Sequence, residues 1–165
     1  GQAFAGRKRG VMFDVGHGGG SFMWPVASAA AKQNFPPDSI STDLHVGSMN
    51  AGMKDMITTM SKILTLGSPL QDVIRMSTWT PAQIIKRPEL GHLSEGAGAD
   101  LTVIRLEKGS FGYLDSRLAK QTGTQRLSCE LTIRDGRVVY DLNGLASEEW
   151  PAYYKKNPPG RRPQR

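Results

Sequence analysis

Three places in this sequence bring together residue types that can do chemistry. The first is FDVGHGGGSF, residues 13–22, where His17 sits among Gly16, Gly18, Gly19 and Gly20 and is followed by Ser21. Glycines after a short apolar run let a ligand approach the backbone closely, because no Cβ stands in the way. Three functional readings meet on this loop. A dinucleotide fingerprint needs G-x-G-x-x-G. Gly16 and Gly18 fit it, but Ser21 holds the third position and no acid ends the next strand where one belongs. An esterase oxyanion loop matches HGGG literally, yet the G-x-S-x-G nucleophile elbow that accompanies it is absent. A substrate-facing loop at the C-terminal end of a barrel strand needs only what is present. The plain alternative is a tight turn without a ligand. A histidine flanked by glycines, rather than set on an apolar face, favours the site loop.

The second place is STDLH, residues 41–45. Strands avoid aspartate, so an acid directly after a short buried strand is unusual. At the mouth of a parallel sheet, the Asp43 carboxylate can bind a metal. It can also take a proton from metal-bound water and pass it to a leaving group. As a helix N-cap or a loop acid it would do neither, and on chemistry alone both readings stay open. The third place is GHLSEGAGADLTV, residues 91–103, a glycine-punctuated turn entering a strand. His92 within it reads as an exposed loop residue.

These groups need elements to position them. Residues 11–15 (VMFDV) are an apolar run stopped by glycines, which predicts a buried strand. Residues 25–34 (PVASAAAKQN) predict a helix with Pro25 in its first turn. Residues 39–42 (SIST) predict a second short strand. Residues 52–66 predict a long helix, with Met53, Met56, Ile57, Met60, Ile63 and Leu64 at helical spacing. Shorter helices are expected over 69–76 and 81–86, the second capped by Thr80 ahead of Pro81. The period then changes. Residues 100–106, 127–134 and 137–142 alternate, and Asp135-Gly136 is a hairpin signal. The first half therefore implies parallel strands with crossover helices, and the second half antiparallel β. Two parallel strands do not make a stable sheet by themselves, so partner strands are expected from further sequence or another chain.

Composition narrows the function classes. An apolar share of 38% and a charged share of 22% suit a folded domain. No apolar run reaches the ~18 residues of a membrane span. No signal-like apolar stretch opens the chain, nor does an initiator Met, and it reads as the middle of a longer one. A cytoplasmic setting is expected. The net charge of +6 has a local source in Lys155, Lys156, Arg161, Arg162 and Arg165. Without those five of the 21 basic residues, 16 remain against 15 acidic ones. The basic Pro-rich tail has no aromatics interleaved with its charges, so it reads as solvated rather than as a nucleic-acid arm. The one cysteine, Cys129, excludes an intrachain disulfide and any multi-cysteine zinc site, and reads as a buried, inert thiol.

Taken in order, these motifs resemble the amidohydrolase superfamily over roughly residues 11–143. G-x-L-x-x-G-x-x-A-D-L at 91–101 is similar to the family's return from barrel to β-sandwich, and TWTPA at 78–82 to its T-x-x-P-A helix start. FDVGHGGGSF followed by STDLH resembles the amidohydrolase/deacetylase branch, a dihydroorotase-like group. The resemblance implies an α/β fold. Residues 1–90 would be the C-terminal part of a (β/α)8 TIM-like barrel, with its last two strands and helices. Residues 91–143 would be part of a small antiparallel β-sandwich, and 144–165 a tail. It implies one or two divalent metals, commonly zinc. Asp43 would be metal ligand and proton shuttle, and His17, Gly18, Gly19, Ser21 and His45 would lie at the substrate. The expected reaction is hydrolysis of an amide or ester bond in a small N-acyl or O-acyl molecule, in an enzyme that forms a homo-oligomer. The family's H-x-H pair and bridging Lys are not in this chain. The ~90 residues assigned to the barrel fall well short of the ~250 of a full one. A fragment of a larger enzyme is therefore expected, inactive alone. The rival expectations are a non-catalytic interaction module and a nucleotide-binding α/β protein.

Overall fold

The computed structural model describes residues 1–49 and 52–160; Arg161, Arg162 and Arg165 of the basic tail lie outside the described residues. The elements run α1 (Gln2–Lys8), β1 (Asp14–Gly16), α2 (Trp24–Lys32), β2 (Ser39–Ser41), α3 (Met56–Thr65), α4 (Leu70–Ser77), α5 (Trp79–Ile84), β3 (Leu101–Leu114), β4 (Lys120–Arg134), β5 (Arg137–Asp141) and α6 (Trp150–Lys156). β1 and β2 pair in parallel, Val15 opposite Ile40, with α2 as the crossover. β3, β4 and β5 form an antiparallel sheet in that order. The chain is thus mixed α/β, as its motif order implies.

Several boundaries differ from the sequence expectation, each for a local reason. The first strand begins at Asp14, and Val11 and Met12 are exposed. The long helix starts at Met56 instead of Gly52, because Gly52 is left-handed at φ +80°. Asp55 then caps it, its Oδ1 accepting from Thr58 N at 2.6 Å. Such a cap contributes about 1 kcal/mol. Thr80 is no cap; it lies inside α5, which begins two residues earlier with Thr78 at its N-cap. β3 and β4 extend far beyond the alternating stretches, and α1 and α6 had no periodic signal. Asp135 and Gly136 do turn the β4–β5 hairpin, at φ +50° and +73°. Positive φ at both positions gives the twist a two-residue hairpin needs. Cys129 is half-buried rather than buried.

One hydrophobic cluster joins the two halves: Phe22, Trp24, Ile40, Met60, Ile63, Leu64 and Val73 pack with Tyr113 and Leu127. α3 lies against β4, where Ser61 Oγ accepts the Leu127 N–H at 3.0 Å. Six consecutive residues of α3, Thr59 to Leu64, are buried, so this helix is enclosed on all sides. No helix among the described residues is long and apolar enough to cross a membrane.

Candidate active site

The C-terminal ends of β1 and β2 lie side by side, and each runs directly into a motif singled out above. After β2 the chain turns sharply at Asp43, whose φ of +50° is left-handed. Asp and Asn tolerate this region better than other side-chain-bearing residues, so the site stores modest strain at an acid. The turn is held from both sides. His45 Nδ1 donates to the Asp43 carbonyl at 3.0 Å. Ser48 is fully buried, and its hydroxyl accepts from His45 N at 2.9 Å. From β1, Gly18 N donates to Thr42 O at 2.8 Å, which ties the glycine loop to the residue before Asp43. A Cβ on Gly18 would overlap the Asp43 carboxylate, and Gly18 itself is at φ +48°. Only glycine fits there.

The structure therefore brings Asp43, His45, Gly18 and Gly19 together. The carboxylate and the His45 ring are exposed, and that ring lies 3.7 Å from where a Cβ on Gly19 would stand. Ser21 is exposed too, but it lines a separate apolar cavity of about 500 Å³ with Val15, Phe22, Ala27, Ile63 and Met76. His17 does not stand in an open loop facing substrate. It is 0% exposed. Its ring stacks on Phe22 at 4.9 Å, Nδ1 meets Gly18 O at 2.9 Å, and Nε2 meets Lys62 Nζ at 2.6 Å. The physical reason is the glycine turn itself, which swings the side chain at 17 inward, buries Gly18 beneath the Asp43 carboxylate and leaves Gly19 half-buried. His92 is half-buried, its ring edge-on to Trp79.

Two charged groups in this region lie outside the motifs that the sequence singles out. Lys62 is 0% exposed, and Asp115, at the turn after β3, is 1% exposed. The Asp115 carboxylate accepts from the amides of Trp24, Arg117 and Ala119 at 3.1, 2.8 and 2.9 Å. Its contact with Trp24 N occupies the N-terminus of α2, where a dinucleotide fold would place a pyrophosphate; the nucleotide reading loses its anion site. Asp14 accepts from the hydroxyls of Ser39, at 2.6 Å, and Ser41, so its carboxylate braces β2. Only the burial of α3 on every side marks Lys62, and a lysine inside a helix flanked by Met60, Ile63 and Leu64 is the trace this leaves in the sequence.

The buried groups titrate as a set. Burial pushes Lys62 down from 10.5 to about 8, against the attraction of Asp115. Burial also holds His17 below its ordinary 6.5, and the Lys62 charge adds to that, while the Gly18 carbonyl opposes it. Burial alone would raise Asp115, but the three amides and the Lys62 charge outweigh it and hold the carboxyl below 3.8. Each group therefore binds protons less readily in the folded state, so stability rises with pH through each window. For His17 the loss begins as pH falls through 6.5, and for Asp115 as it falls below 3.8. The expected result is a urea midpoint of the full-length protein that drops between pH 7 and 5 and again towards pH 3. A midpoint unchanged from pH 7 to 5 would contradict a neutral, buried His17.

Among the described residues, no three His, Cys, Asp or Glu side chains cluster closely enough to hold a metal ion. A single carboxylate such as that of Asp43 falls short of the three or more ligands a protein metal site uses, so a metal there would need donors beyond the described residues.

Residues 25–139 match the profile of the amidohydrolase family, which is most of the chain. The chain belongs to the amidohydrolase family. It is 44% identical over 107 residues to a protein of Brucella anthropi named deacetylase, covering 65% of this chain and 27% of that one. Its fold is similar to that of an adenine deaminase crystal structure, with a TM-score of 0.80 and 30% identity over 85% of this chain and 38% of that one. It is also similar to a dihydroorotase, with a TM-score of 0.76 and 33% identity over 85% of this chain and 39% of that one. The chain thus spans between about a quarter and two-fifths of the length of these relatives.

Proposed function

We propose that the full-length protein hydrolyses an amide or ester bond in a small N-acyl or O-acyl molecule, with Asp43 as its proton-handling carboxylate. The observation that carries this is the Asp43 turn, an exposed acid held in the left-handed region at the C-terminal end of a parallel strand. Catalytic groups of (β/α)8 enzymes occupy that end. Family membership and the deacetylase-named relative support the acyl chemistry.

In this reading β1 and β2 are the last two strands of a (β/α)8 barrel, within residues 1–90. The β3–β5 sheet is part of a small β-sandwich, within 91–143. Val138 and Val139 adjoin in β5 and are both exposed, so each face of that strand has apolar surface for a neighbour to cover. Asp43 is one ligand of a divalent metal, zinc for choice, whose other ligands come from outside this chain. When bound, such an ion polarises the carbonyl and makes hydroxide available at neutral pH. Asp43 then receives the proton of the attacking water and delivers it to the leaving amine or alcohol. Gly18 gives the Asp43 carboxylate room and Gly19 leaves room for the substrate, while His45 orients the Asp43 backbone and presents its exposed ring beside them. A cytoplasmic homo-oligomer acting on a small molecule completes the proposal.

The test is to assay the purified full-length protein on a panel of N-acyl and O-acyl small molecules, scoring carboxylate release, alongside adenine, scoring ammonia release. Carboxylate release with no ammonia is expected. Ammonia from adenine without carboxylate release would replace acyl hydrolysis by deamination.

A further inference from the structure

We propose that Lys62 is a positioning residue for Asp43, an ammonium clamp that fixes the glycine loop through His17 and so sets the backbone on which the Asp43 carboxylate rests. The role of Asp43 in this inference rests on the function proposed above; the clamp itself does not.

An ammonium has three N–H donors and no acceptor. Lys62 Nζ has three acceptors within reach: His17 Nε2 at 2.6 Å, Gly52 O at 2.9 Å and Leu114 O at 2.5 Å. The match is complete, and it is made where no water can substitute, since the side chain is 0% exposed. A buried ammonium without such partners would cost several kcal/mol. The Asp115 carboxylate provides the opposite charge nearby, and the Phe22 ring lies 5.5 Å away.

The three acceptors belong to three different segments: the glycine loop after β1, the residues that lead into α3, and the end of β3. Lys62 therefore ties the glycine loop and the segment leading into α3 to the antiparallel sheet. Its effect on His17 is specific. A donor at Nε2 forces that nitrogen to accept, which leaves the ring proton on Nδ1. Nδ1–H then donates to Gly18 O at 2.9 Å. Gly18 in turn donates its N–H to Thr42 O at 2.8 Å and lies under the Asp43 carboxylate. The relay runs Lys62, His17, Gly18, Thr42, Asp43, with a hydrogen bond or a covalent neighbour at every link. Nothing in it touches substrate.

The experiment uses the full-length protein and its Lys62→Met variant, which keeps the length of the side chain and removes all three donors. In the wild type, 15N spectroscopy of His17 is expected to show a proton on Nδ1 and none on Nε2 at neutral pH. In the variant that pattern is expected to be lost. Deuterium uptake of the peptide spanning residues 15–22 is expected to quicken about 10-fold or more. Acyl-hydrolase kcat is expected to fall about 10- to 100-fold, with KM changed far less, because a misplaced carboxylate harms the chemical step more than binding. A wild-type His17 protonated on Nε2 would overturn the proposal. So would a folded variant whose uptake and kcat both stay within about twofold of wild type. If the variant does not fold, the wild-type His17 signature decides alone. If Asp43 proves to have no part in turnover, the His17 pattern and the exchange rates still test the clamp, so the two failures are told apart.

Discussion

Replacing Asp43 by Asn in the full-length protein is expected to cut turnover by at least about 100-fold and as much as about 10,000-fold, the range that a general base supplies. Asn is the discriminating substitution for a backbone reason. Residue 43 is at φ +50°, and Asn enters the left-handed region about as readily as Asp, whereas Ala there would add strain of about 1 kcal/mol or more. His45 Nδ1 bonds the backbone carbonyl of residue 43, and the Ser48 hydroxyl accepts from His45 N; neither bond uses the carboxylate, so both survive the change. What is lost is the negative charge and the capacity to take up a proton. The measurements are kcat on an acyl substrate, metal content by elemental analysis, and the melting temperature. Turnover and metal content near wild type would show that Asp43 is neither base nor ligand. A lower melting temperature with unchanged turnover would make it a structural turn residue.

Trp24→Ala is expected to destabilise the protein by about 3 to 5 kcal/mol, the range for truncating a buried large aromatic side chain. Trp24 is 6% exposed and meets Phe22 edge-on at 5.0 Å. Its indole N–H donates to Tyr113 O at 3.1 Å, and its backbone N–H to Asp115 Oδ2 at 3.1 Å. The side chain therefore fastens α2 to the end of β3, and removing it leaves a cavity and takes the indole donor from the Tyr113 carbonyl. Urea unfolding of the full-length protein measures the loss. Trp24→Phe isolates the hydrogen bond, since it keeps most of the apolar area, and is expected to cost about 1 to 3 kcal/mol. A loss below about 1 kcal/mol for the Ala variant would mean that this contact does not join the two halves.

Much of this architecture was legible because it depends on local rules. Pro25 starts a helix wherever its missing N–H is not needed, and α2 forms with Pro25 in its first turn. Asp135-Gly136 turns a hairpin because both residues tolerate positive φ, and it does so here. The full length of β3 and β4 was hidden. Residues such as Lys108, Gln121 and Thr122 are exposed and polar, so no alternation marks them, and pairing across the ladder is what makes them strands. α1 was hidden for a related reason, since a seven-residue helix with one buried residue has no apolar stripe to read.

The candidate site divides along the same line. The sequence by itself determined that an acid follows a short strand, that glycines follow another, and that the two strands run parallel; residue type, spacing and element order suffice for that. Only the tertiary structure decided that Gly18 lies under Asp43, that His17 turns inward, and that Lys62 is its partner. The partners of Lys62 are 10, 45 and 52 residues away along the chain. No periodic pattern encodes a contact of that range. It exists because packing encloses α3 on every side, and a buried ammonium must then find acceptors from whatever segments the fold brings to it.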